Sequence, residues 1–165
     1  MRDRKAVLVL CVLAVSCAIP VRTTHVRLQV QVAPDANDNR PIPVDVVFAW
    51  DRESAAKLEA LSAADWFTQK AQLRRDDPQE RTVSVREWEW VPGQVVRDVE
   101  LAVRPGARKW LKAIFVFADY RSDGPHRIRL APGTAALALL RDDVTIAPSA
   151  VAVPPLAEPG TGPGN

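Results

Sequence analysis

Cysteine is nearly absent from this chain: there are two in 165 residues, Cys11 and Cys17, both near the N-terminus. Beyond residue 17 neither a disulfide nor a cysteine-based metal site can form, so burial has to hold the fold together unaided. Histidine is as scarce. His25 opens an alternating segment on its polar side, and His126 follows the turn sequence SDGP, positions that suit hydrogen-bonded or exposed strand residues better than catalytic ones. A glycine-rich phosphate cradle, a paired His/Cys cluster and an HExxH motif are all missing. The uncharged run at residues 6–19 spans fourteen positions, whereas a helix needs roughly 20 apolar residues to cross a bilayer. A surplus of charge is missing too. Lys and Arg number 22 against 20 Asp and Glu, and the two signs balance once residues 1–16 are set aside. That balance excludes the basic face on which nucleic-acid affinity depends.

What is present begins with a targeting signal. Arg2, Arg4 and Lys5 outweigh Asp3, and the uncharged run that follows completes a charged n-region and an apolar h-region. Ala14, Val15 and Ser16 then lead into Cys17. This segment resembles a bacterial lipoprotein signal with its lipobox, in which the cysteine sulfur receives a diacylglycerol, the amine an acyl chain, and the cysteine becomes the first mature residue. Leucine is commonest three places before the cysteine; Ala14 stands there, and Ala14-x-Ser16 also suits ordinary secretory cleavage. The expected organisation is a signal peptide at 1–16, a lipidated tether at 17–23, one domain at 24–147 and a tail at 148–165. The tail is rich in proline and glycine and poor in core-forming residues, a composition that predicts disorder.

Within the domain the dominant period is two. In HVRLQVQV, Val26, Leu28, Val30 and Val32 share one face and polar residues the other, which predicts a half-buried strand. Residues 33–43 follow with three prolines and four Asp or Asn residues, a loop signature. VDVVFAW predicts a second strand. The period then changes: Ser54 is a candidate cap for a helix carrying Leu58 and Leu61, and Ser62 with Asp65 forms a capping box for a second helix with Trp66 and Phe67, giving a helical insertion at about 54–73. Strand signals resume at 82–90, where Val83 and Val85 lie on one parity and Trp88 and Trp90 on the other; a bulge near Arg86 and Glu87 would turn all four inward. Pro92-Gly93 predicts a type II turn leading to a hairpin partner at 95–103, with Val95, Val99, Leu101 and Val103 on one face. A turn at Pro105-Gly106 follows. WLKAIFVFADY is apolar on both parities, the mark of a central covered strand. HRIRL alternates again, and TAALALL with VTIA can complete a sheet edge. About seven strands with one helical excursion predict a mainly β, two-sheet sandwich.

Candidates for chemistry are few. Ser122, Asp123 and His126 are close in sequence, but a triad is defined by geometry. Asp35, Asn37, Asp38 and Asn39 could offer oxygens to Ca²⁺, yet the loop lacks the glycine and terminal glutamate of an EF-hand. Trp88 and Trp90 could stack sugars if exposed, whereas core packing would bury them. The residues alone therefore also admit a periplasmic carbohydrate-binding or chaperone-like sandwich; neither reading makes the chain an enzyme.

The order lipobox, first strand, NRPIPVDV, LSAADWF, WVPG and FVFADYRSDGPHRIRL resembles the outer-membrane lipoprotein subunit of the bacterial type VI secretion system, over residues 24–130. That family shows an R-P-x-P-V element, an acidic residue before paired aromatics, a PG turn and a late aromatic-Arg strand; HRIRL stands where Trp-Arg is frequent. The resemblance implies a transthyretin-like sandwich, tethered through acyl chains on Cys17 to the periplasmic face of the outer membrane. It implies no other cofactor, no nucleic acid and no small-molecule substrate. Its implied partner is the periplasmic C-terminal domain of the large inner-membrane subunit, contacted by the first inter-strand loop, here Pro34, Asp35, Asn37, Asp38, Asn39, Arg40 and Pro41. Ala18 after the cysteine, where Asp would signal inner-membrane retention, fits outer-membrane sorting.

Overall fold

The computed structural model describes residues 24–103, 111–131 and 133–147. The expected signal, tether and C-terminal tail, and the turn at Pro105-Gly106, lie outside the described residues. Eight strands and two helices follow in order: β1 (Thr24–Val32), β2 (Ile42–Ala49), α1 (Arg52–Ala60), α2 (Ala63–Asp76), β3 (Val83–Trp90), β4 (Val95–Val103), β5 (Ala113–Ala118), β6 (Arg127–Leu130), β7 (Gly133–Leu139) and β8 (Val144–Ala147). They build two four-stranded sheets, one ordered β4-β1-β7-β8 and the other β3-β2-β5-β6. The fold is the expected two-sheet β-sandwich.

The alternation in β1 works as its sequence demands. Val26, Leu28, Val30 and Val32 are all buried, and Arg27, Gln29 and Gln31 are exposed. They meet the inner face of the second sheet, where Val44, Val46, Phe48, Ile114 and Val116 join them in one core. The outer face of that second sheet is apolar as well. Val47, Ala49, Val85, Phe115 and Phe117 pack there against Leu58, Ala63 and Trp66 of the helices. Two-sided burial explains why β5 is apolar on both parities.

It also removes the bulge expected in β3. The register from Ile42↔Trp90 to Ala49↔Val83 is unbroken: Val83 and Val85 face the helices while Trp88 and Trp90 face the sandwich interior. The irregularity lies in β4, where Leu28 pairs with Val99 but Val30 with Val96, and Asp98 adopts a φ of 59°. That extra residue turns Val95 outward, to 48% exposure, and brings Val96 against the core instead, so the expected face of β4 is corrected at its first residue. Nor is β4 the hairpin partner of β3. It pairs antiparallel with β1, and the Pro92-Gly93 turn carries the chain from one sheet to the other. The turn itself forms, with Gln94 N–H donating to Val91 O at 3.0 Å and Gly93 at φ 78°. At the far edge, β7 is internal, parallel to β1, and β8 alone forms that edge.

In the helical insertion the cap of α1 is Asp51 rather than Ser54: its Oδ1 accepts the Ser54 amide at 2.8 Å, which places Ser54 inside the first turn. Ser62 and Asp65 form the reciprocal capping box as expected, and those bonds hold the Asp65 carboxyl below its ordinary range. The insertion therefore runs from Arg52 to Asp76, longer at both ends than its sequence estimate. It is pinned by a buried carboxylate. Asp45 of β2, 1% exposed, accepts Trp66 Nε1 at 2.8 Å and Lys70 Nζ at 3.0 Å on one oxygen. Lys70 reaches on to Glu87 at 2.9 Å. Among the described residues no helix is long and apolar enough to cross a membrane.

Candidate functional site at the loop end

Four connections meet at one end of the sandwich, those joining β1–β2, β3–β4, β5–β6 and β7–β8. The first is the most constrained. After β1, Ala33 N–H donates to Leu139 O at 2.8 Å and Ala33 O accepts Gly93 N–H at 3.3 Å, fixing the loop's start to two neighbours. The chain then makes a short 3-10 turn, Ala36–Asn39, and Asn37, Asp38 and Asn39 follow one another in the left-handed region, at φ 49°, 52° and 60°. Such a conformation costs an ordinary L-residue about 1–2 kcal/mol; Asn and Asp are the side chains that tolerate it best. A run of three persists because its surroundings over-determine it.

Asn37 is what fixes it. Its side chain is turned inward and 6% exposed. Nδ2 donates to Pro41 O at 3.1 Å across the loop, and Oδ1 accepts the Arg121 amide of the β5–β6 connection at 3.0 Å. The Asn37 amide donates to Arg141 O of the β7–β8 connection at 2.8 Å, and Arg40 N–H returns to Asn37 O at 3.2 Å. Ala36, fully buried, fills the underside. Of the seven residues expected to form the docking surface, Pro34, Asp35, Asp38, Asn39, Arg40 and Pro41 are exposed while Asn37 is not. Asn37 thus shapes the surface instead of forming it. Its buried side chain also removes one of the four oxygens considered for Ca²⁺, and among the described residues no three His, Cys, Asp or Glu side chains group around a metal position.

Beneath this loop lies a polar cluster around His126. His126, 4% exposed, has Nδ1 at 3.1 Å from Asp143 Oδ1 and Nε2 at 2.8 Å from the Ser122 carbonyl oxygen. The carboxylate at the imidazole is Asp143, seventeen residues on, rather than Asp123. Ser122 Oγ is 3.5 Å from Nε2, but its hydroxyl donates to Asp142 O at 3.0 Å. A hydrolytic triad needs Nε2 as the acceptor of the serine proton; here Nε2 faces a carbonyl, which has no proton to give. The cluster therefore ties two loops together and activates no nucleophile. Tyr120 completes it, its hydroxyl 3.0 Å from Leu140 O and 2.9 Å from Asp143 O. Burial, reinforced by the charges of Asp143 and Asp142, pushes the Tyr120 phenol well above its ordinary range. The contacts between the two connections have no local motif, because their partners lie 17 to 23 residues apart. The one visible signal was a histidine directly after a turn.

The tryptophan pair offers no platform for a sugar. Trp90 is 2% exposed and Trp88 packs half-buried on the same core, their rings 6.0 Å apart and 23° from parallel. Stacking on each other inside the sandwich leaves no open groove between them.

No protein-family model matches the chain, and no curated protein sequence does. Solved structures do. One is Lip of Serratia marcescens, a membrane-bound component of the type VI secretion system, 16% identical, with a TM-score of 0.53 over 77% of this chain and 99% of that one. Another is the type VI secretion lipoprotein TssJ1 of Pseudomonas aeruginosa, 13% identical, with a TM-score of 0.51 over 76% of this chain and 96% of that one. At such identities the likeness establishes a shared fold.

Proposed function

We propose that this chain is a type VI secretion lipoprotein of the same kind, a non-catalytic outer-membrane anchor that binds the periplasmic C-terminal domain of the large inner-membrane subunit through its β1–β2 loop. The observation that carries the reading is the rigid loop at 34–41, whose left-handed run is held from three sides while six of its seven candidate residues stay exposed. A loop ordered before binding avoids the ordering cost that a mobile one would incur on association. Shared fold with two type VI secretion lipoproteins supports the same reading, as does the lipobox-like sequence ending at Cys17.

Geometry connects the two ends. If Cys17 carries acyl chains, six residues separate it from Thr24, a reach of at most about 25 Å over seven residue steps. The Thr24 end of the sandwich is then held close to the bilayer. β1 has nine residues, a length of about 30 Å, so the β1–β2 loop is displayed at the far end, pointing into the periplasm. Two chains on the sulfur and a third on the amine, at about 0.8 kcal/mol per buried CH₂, make such anchoring stable.

Two experiments separate anchor from dock. Cys17→Ser is expected to move the protein from the membrane to the soluble periplasmic fraction with its thermal transition unchanged; retention in the membrane fraction would refute the lipid anchor. Replacing Asp35, Asp38 and Arg40 together with alanine is expected to weaken capture of the large subunit's periplasmic domain by at least tenfold, and undiminished capture would move the contact away from this loop.

A further inference from the structure

We infer that the cavity at the Thr24 end of the sandwich, rimmed by Lys112 and Arg129, holds the phosphate headgroup of an anionic phospholipid from the leaflet that carries the tether. The inference rests on the proposed lipid anchor, which brings this end to the bilayer.

The topology collects the site there. Val26 of β1 pairs with Gly133 at the start of β7, and β6 ends three residues earlier at Leu130, whose register partner is Ile114 of β5. Lys112, just before β5, donates its amide to Ala49 O at the end of β2, at 2.8 Å. The end of β6 and the start of β5 thus open beside the first residues of β1. Between them is a cavity of about 410 Å³, with Leu111, Ala113, Leu130 and Ala131 among its walls and Lys112 and Arg129 as its charged members. Apolar walls with a few charges suit an amphipathic ligand whose polar group is fixed by those charges.

Charge decides which ligand that is. Lys112 is exposed, and no carboxylate among the described residues pairs with its side chain. Arg129 Nη1 lies 3.0 Å from Glu59 Oε2, but Arg127 Nη2 leans on the same carboxylate at 3.9 Å. One negative charge therefore serves two guanidiniums. The neighbouring start of α1 adds Asp51 and Glu53 against Arg52 and Lys57, with no net charge. The rim keeps a surplus of two cations, so the ligand it fits is an anion. A guanidinium offers forked donors to phosphate oxygens, and the ammonium adds a point charge. The Arg129 guanidinium is steadied by the Phe115 ring, 5.8 Å from its centroid.

A leaflet supplies such an anion at the end that the tether faces. A single attachment limits distance from the bilayer but not tilt; a second contact at the rim fixes the sandwich with the β1–β2 loop aimed away. Few charges take part and no acyl chain is fully buried, so the contact orients a tethered chain without retaining an untethered one.

The test uses the mature chain carrying Cys17→Ser, which has no acyl chains, titrated with vesicles of phosphatidylethanolamine mixed with either phosphatidylglycerol or phosphatidylcholine. Binding is expected to favour the phosphatidylglycerol vesicles, and that preference should fall about fivefold in Lys112→Gln and again in Arg129→Gln, the effect of one cation at an anionic surface. Glu59→Gln, which releases both guanidiniums, should raise the preference by a similar factor, a gain that misfolding does not mimic. In NMR spectra the Ala131 amide should shift with short-chain phosphatidylglycerol and stay still with inorganic phosphate at equal concentration. Equal binding to the two kinds of vesicle would overturn the inference, as would a preference undiminished in both the Lys112 and Arg129 variants. Equal shifts with inorganic phosphate would make the ligand a free anion and overturn the lipid assignment. Binding gained only in a chain ending at Ala147 would make the C-terminal tail the occupant and overturn it too. If any of these results came while the acylated native chain stayed in the membrane fraction, the anchor would stand without this site.

Discussion

The two sheets solve the same burial problem differently. The β4-β1-β7-β8 sheet lays one face on the core, and the outward side chains of β1 are exposed; the β3-β2-β5-β6 sheet is covered on both faces, by its partner and by the two helices. A strand wet on one side must alternate, whereas a strand dry on both sides need not. The difference also separates structure from display: covering the second sheet demands a polar fastening at Asp45, Trp66 and Lys70, while the loops at the sandwich end remain available for recognition.

The comparison can be broken most severely from the covered side. Trp66→Ala removes a fully buried indole that stacks on Phe117 at 5.2 Å, and should destabilise the protein by about 3–5 kcal/mol in urea denaturation; a loss below about 1 kcal/mol would mean that the helices are not integral to that sheet. Asp45→Asn leaves a group able to accept from Trp66 but cancels the charge facing Lys70. We expect a loss of about 2 kcal/mol, read the same way, since hydrogen bonds to charged groups contribute about 1.5–3 kcal/mol.

A smaller effect concerns pH. At the end of α2, Asp77 feels burial raising its pKa, but bonds from the Thr82 hydroxyl and the amides of Thr82, Arg81 and Val83 outweigh it and hold the group at about 2, below the ordinary 3.8. A depressed folded-state value contributes stability that is complete above about pH 4 and is lost as pH falls toward 2. The stability difference between the native chain and Asp77→Asn should therefore shrink between pH 5 and pH 2. A constant difference over that range would show that these bonds do not depend on the carboxylate. Least of all should change at Gln29→Lys on the exposed face of β1, within about 0.5 kcal/mol; a larger loss would indicate that something covers that face.

Legibility followed the same division. β1 was readable because its alternation maps directly onto wet and dry faces, and the Ser62–Asp65 capping box was readable because both its bonds are local. β3 misled because its two parities face different neighbours, so period two implied a bulge where none was needed. The real bulge at Asp98 has no residue pattern that marks it, and the sheet to which β4 belongs is decided by packing remote in sequence. At the loop end, the Asn and Asp richness that marked a turn was also the signature of the left-handed run. Which of those residues points inward was not readable, because the amide of Arg121 that binds Asn37 lies 84 residues away. Asp143 escaped notice for the same reason.

The most direct test of the account is a photo-crosslinking residue placed at Asp38 on the loop or at Gln29 on the open sheet, in cells assembling the complete secretion apparatus. The account predicts adducts with the large inner-membrane subunit from position 38 and none from position 29. Adducts from position 29 alone would contradict it, placing the partner on the sheet and leaving the loop without its proposed role.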